Sequence, residues 1–110
     1  MQDSVCVVLV TCGSRENAEA IAEKIVVERL AACVNLFGDE GNPIRSFYVW
    51  EGALQREQEY LLMIKTRVSR LSGLERRIRE LHSYEMPEFI ALPVMSGSEQ
   101  YLEWVRQNVE

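Results

Sequence analysis

Val5-Cys6-Val7-Val8-Leu9-Val10 is an apolar, largely β-branched run with no polar alternation. Such a run makes a strand only where both of its faces are covered. A second run, Tyr60-Leu61-Leu62-Met63-Ile64, lies inside a strand predicted over Glu57–Thr66 and makes the same demand. These two segments fix what the rest of the chain has to do, because everything else must hide them.

Two amphipathic segments are available for that task. From Arg15 to Leu30, Ala18, Ile21, Ala22 and Ile25 recur at helical spacing, with Ser14 as the predicted N-cap. Leu71, Leu74, Ile78 and Leu81 set an apolar stripe on a second helix whose other face carries Arg70, Arg76, Arg77 and Arg79. Further strands are predicted over Cys33–Phe37, Ile44–Trp50 and Phe89–Val94, with a bend or hairpin over Gly52–Arg56 and a last helix from Glu99 to Asn108. The order matches the split βαβ arrangement of an α+β, ferredoxin-like sandwich: an antiparallel sheet with both main helices on one face and an additional C-terminal helix. The opposite face is then left apolar and open, which argues for a homo-oligomer.

At 110 residues the chain closes one core, so residues 1–110 form a single domain. Twelve basic against seventeen acidic residues give a net charge of -5, which disfavours nucleic acid and anionic membrane as partners. The apolar run after Met1-Gln2-Asp3-Ser4 is strand-sized and has no basic residues ahead of it, so a leader or membrane span is not expected and a cytoplasmic location is. Cys6, Cys12 and Cys33 form an odd set without a C-x-x-C pair, and reduced thiols are expected.

Several blocks together resemble the CutA divalent-cation tolerance family: Glu28-Arg29-Leu30-Ala31-Ala32-Cys33-Val34-Asn35, Tyr48-Val49-Trp50-Glu51-Gly52, and Glu59 with Ile64-Lys65-Thr66. His82-Ser83-Tyr84-Glu85-Met86-Pro87-Glu88 and Tyr101-Leu102-Glu103-Trp104 extend the likeness to the C-terminal part. The resemblance implies a ferredoxin-like subunit, a stable homotrimer similar to PII signalling proteins, and a link to divalent cations such as copper, weakly bound. No organic cofactor and no catalysis are implied, and the expected partners are further copies of the chain and metal ions.

His82, the one histidine, and Cys12, expected in an exposed strand-to-helix loop, are the candidate metal ligands. Beside Arg15 at a helix N-terminus, the Cys12 thiol is also a candidate for a lowered pKa, although an inert thiol is the blander reading. Cys6 and Cys33 are expected in the core. Lys65, Glu59, Tyr84, Glu85 and Glu88 are candidates for an inter-subunit cleft, either binding a small polar ligand or locking the trimer. Tyr48, Trp50, Tyr101 and Trp104 are expected at trimer contacts. Two rival functions stand beside the metal-linked one: an interaction trimer that binds metal only incidentally, and an acylphosphatase-like hydrolase holding phosphate in the Cys12–Arg15 loop. The single glycine of that loop counts against the hydrolase.

Overall fold

The computed structural model describes residues 3–110. The chain forms β1 (Val5–Cys12), α1 (Arg15–Val27), β2 (Cys33–Phe37), β3 (Ile44–Trp50), β4 (Ala53–Arg67), α2 (Leu71–Leu81), β5 (Ile90–Pro93) and α3 (Glu99–Gln107). The sheet is antiparallel in the order β2-β4-β1-β5, with β3 pairing the first half of β4. β2 and β3 therefore lie end to end along one edge of β4, at Cys33↔Lys65 to Phe37↔Leu61 and at Ile44↔Glu59 to Trp50↔Ala53.

Alternation along the strands sorts the sheet into two faces. Cys6, Val8, Val10 and Cys12 on β1, with Leu62, Ile64 and Thr66 on β4, face the two helices and are buried. Against them pack Ala18, Ile21 and Ile25 of α1 and Leu74 and Ile78 of α2. The residues between them, Val7, Leu9, Leu61 and Met63, point the other way and stay partly exposed. β5 adds Ile90 and Leu92 to that face, and β2 adds Phe37, all more than two-fifths exposed. α3 covers one end only, packing Val105, Val109 and Leu102 on Val5, Ala32 and Val94. Full burial of a wholly exposed large apolar side chain is worth about 1.5–3 kcal/mol, and these residues are already partly covered, so each would add only a fraction of that on being covered further.

Three boundaries differ from the sequence expectation. α1 stops at Val27, because Arg29 turns into the left-handed region (φ 61°) and the amides of Leu30 and Ala31 both return to the Ile25 carbonyl. The Arg29 guanidinium donates to the Gln107 carbonyl at 2.8 Å, a contact with the far end of the chain that no helical pattern shows. β4 begins at Ala53 rather than Glu57, since Glu51 (φ 51°) and Gly52 (φ 81°) make a two-residue hairpin turn that lets pairing resume at once. β5 is shorter than expected, and Phe89 packs on the core ahead of it. The β3–β4 hairpin extends past the helices as an arm, and the molecule measures 46 × 25 × 25 Å.

Candidate functional site

The segment 82–89 runs from the end of α2 to β5 as a strap across the place where β1 gives way to α1. Its anchors come from three elements, β1, α1 and β4. His82 is buried; its Nε2–H donates to the Thr11 carbonyl at 2.8 Å and its Nδ1 accepts from the Tyr84 amide at 3.0 Å. Those two contacts are compatible only with the neutral Nε2–H tautomer, and both ring nitrogens are engaged. Asn17, in the first turn of α1, donates from Nδ2 to the Leu81 carbonyl at 3.0 Å and accepts the Ser83 amide at Oδ1 at 3.2 Å, closing the end of α2 from the side. The Tyr84 hydroxyl donates to Glu59 Oε2 at 2.9 Å.

Glu59 lies on the same face of β4 as Leu61 and Met63 and is 7% exposed. Among the described residues no Lys or Arg forms an ion pair with it. Its charge is felt nearby. Burial, and then the bond to Glu59, hold the Tyr84 phenol well above its usual range, and burial followed by the Glu59 charge raises Glu88. Glu59, Tyr84 and Glu88 thus form one group at the base of the arm.

The other two expected cleft residues lie elsewhere within the chain. Lys65 is six positions further along β4, about 20 Å away by strand rise. Its ammonium donates to Asn35 Oδ1 at 2.6 Å and lies 6.0 Å from the centre of the Tyr101 ring. Glu85 lines a separate cleft of about 190 Å³ between the strap and α2, with Arg79, Met86 and Phe89. Tyr48 and Trp50 stand exposed on the arm, and Tyr101 and Trp104 stack at 5.6 Å on the outside of α3.

The exposed loop position expected for Cys12 is corrected, and of its two readings the structure supports the inert thiol over the activated one. Pairing of β1 with β4 continues to Cys12↔Tyr60, so the thiol sits at the end of the strand, faces the helices and is fully buried. Burial, with the Glu59 charge behind it, pushes the thiol up to about 12. Arg15 pairs with Glu19 at 3.6 Å and Glu40 at 3.7 Å, and the Ser14 hydroxyl accepts the Asn17 amide, so the loop is not an open phosphate cradle. Cys33 is corrected as well: it lies partly exposed on the open face, 4.0 Å from the Lys65 ammonium. Among the described residues no three His, Cys, Asp or Glu side chains converge as a metal-binding group.

Sequence reasoning missed Asn17 and Gly13. Asn17 reads as an ordinary first-turn helix residue, and its partners lie 64 and 66 positions away. Gly13 has one sequence signal, its place at a strand-to-helix junction, but its reason is the Tyr84 ring lying against it.

The family of CutA1 divalent ion tolerance proteins matches residues 6–108, which takes in both faces of the sheet, the strap and α3. The chain belongs to this family. Among CutA relatives, the divalent-cation tolerance protein of Thermus thermophilus is 43% identical over 102 residues, covering 93% of this chain and 95% of that one. Human protein CutA is 45% identical over 107 residues, covering 97% of this chain and 58% of its own length. The chain therefore spans nearly the whole bacterial relative and just over half of the human one. The solved CutA1 structures from Thermus thermophilus (TM-score 0.91, 42% identity, 96% of this chain and 99% of that one) and Oryza sativa (TM-score 0.92, 41% identity, 98% and 95%) share its fold. The ferredoxin-like CutA1 fold, with its added C-terminal helix, is thereby that of this chain.

Proposed function

We propose that this CutA1 family chain works as a homotrimer with a binding or regulatory role in the response to divalent metal ions such as copper, without catalysis. The open apolar face of the sheet carries the reading. Val7, Leu9, Leu61, Met63, Ile90 and Leu92 are too many large side chains to leave in water, and α3 reaches only one end of them. The names of the relatives support the link to divalent cations. Copper contact is weak in this proposal, because His82 can lend Nδ1 to a metal only after the Tyr84 amide lets go, and Cys12 only once its end of β1 opens.

Mass in solution at several micromolar concentrations tests the assembly: three chains are expected, and a folded particle of 12.7 kDa would overturn it. Calorimetric titration with Cu(II) tests the metal: a weak saturable heat that disappears in His82→Ala is expected. Identical heats in the two proteins would favour a second reading, an interaction trimer that meets metal only incidentally. The engagement of both His82 nitrogens is the observation that favours this second reading.

A further inference from the structure

The strap and α2 enclose a cleft that neither metal contact nor assembly uses. On α2, Glu75, Ile78 and Arg79 stand at i, i+3 and i+4 and therefore share one face of the helix. The strap faces them with Glu85, Met86 and Phe89, and a space of about 190 Å³ is left between the two walls. Both walls are held in place. Ile78 is 1% exposed and, like Phe89, packs in the main core. Asn17 and His82 tie down the start of the strap, and Pro87, also on the cleft, has a fixed φ. The cleft is therefore formed before anything enters it.

Its lining combines two chemistries. Ile78 and Phe89 make an apolar floor, and Met86 stands at the mouth, 71% exposed, with an unbranched side chain able to fold over an apolar ligand. The rim is charged: Glu75, Arg79 and Glu85 are all exposed. Among the described residues none of the three forms an ion pair, although Glu75 and Arg79 have the spacing to pair along the helix. Opposite charges thus border one small apolar space without neutralising each other. A simple cation there would face the like charge of Arg79, and a simple anion would face two carboxylates. A ligand that carries both signs beside an apolar group answers all of them.

We propose that the cleft between α2 and the strap binds a free α-amino acid with an aliphatic side chain. Arg79 takes the carboxylate, Glu75 and Glu85 hold the ammonium group, and the side chain lies on Ile78 and Phe89 beneath Met86. The volume sets the size: about 190 Å³ falls below the roughly 300–1,000 Å³ of drug-sized sites and suits one amino acid rather than a peptide. The site is independent of the metal and assembly readings. It lies beside α2, on the helix-covered side of the sheet, and needs neither a metal on His82 nor a second copy of the chain.

The test is equilibrium dialysis of the full chain against radiolabelled L-leucine, with leucinamide and isocaproate as competitors, each lacking one of the two charges. Saturable binding of leucine is expected, with a Kd on the order of 0.1–1 mM for a ligand of this size. Each competitor should bind about tenfold more weakly than leucine, or worse, and leucine should lose about as much on Arg79→Gln and on Glu75→Gln/Glu85→Gln. The three substituted side chains are exposed, so folding is expected to survive, and circular dichroism checks it. No saturable binding up to about 10 mM leucine overturns the proposal. So does binding that Arg79→Gln leaves unchanged. Leucinamide binding as tightly as leucine would make the cleft a cation site, isocaproate doing so would make it an anion site, and either result overturns the amino-acid reading.

Discussion

The hydroxyl of Tyr84 occupies the space that a side chain on Gly13 would need: a Cβ built there falls 2.7 Å from Tyr84 Oη and 3.1 Å from its ring. Gly13 is not in a left-handed conformation, so the requirement is close approach and nothing else. Gly13→Ala is expected to displace the ring, break the bond to Glu59 and cost about 1–3 kcal/mol. Adding Tyr84→Phe removes the nearest atom, so the double variant should lose less than the two single losses summed. Urea unfolding of the four proteins checks this, and simple additivity would contradict it.

Cys12 and Cys6 should be unreactive in the folded protein. Both are buried, and burial pushes both thiols up, Cys12 to about 12. At pH 8 the thiolate that reacts with an alkylating reagent is scarce at these two positions, and access is closed. Peptide mapping after timed iodoacetamide treatment should find them modified only at the rate of unfolding. Rapid labelling of Cys12 would show that the end of β1 is open in solution.

The turn at the tip of the arm holds room for improvement. Glu51 sits at φ 51°, where a residue with a Cβ is strained and where asparagine or glycine is favoured in two-residue hairpins. Its side chain is exposed and makes no hydrogen bond among the described residues. Glu51→Asn or Glu51→Gly is expected to raise stability by about 0.5–1 kcal/mol, read as a higher midpoint in thermal or denaturant unfolding. A lower midpoint would mean that the carboxylate is engaged in the assembled protein.

Glu88 gives the strap a pH dependence of defined sign. Partial burial, then the charge on Glu59, raise its carboxyl above the ordinary value of 4.5, so the folded chain favours the protonated form. The stability it contributes is full below the unfolded value and is lost as pH rises through the folded one. Glu88→Gln should therefore flatten the decline in melting temperature across that rise relative to wild type. A profile steeper than wild type would reverse the assignment.

The sequence alone determined the elements and their order. Period-two and period-3.6 patterns depend on neighbours a few residues apart, and so β1, α1, α2 and the apolar excess of the sheet are all written locally in Val5–Val10, Ala18–Ile25 and Leu71–Leu81. The blocks around Glu28–Asn35 and His82–Glu88 carried the family, which comparison with CutA1 proteins bore out. What the chemistry of single side chains became was decided by tertiary structure. Cys12 has the neighbours of an activated thiol in sequence and the surroundings of a core residue in space, because one further strand pair, Cys12↔Tyr60, turns it inward. His82 is tied to Thr11, 71 positions away, and Tyr84 to Glu59, 25 positions away. A residue's charge state and reactivity follow from which groups touch it, and those groups come together only when distant segments of the chain pack.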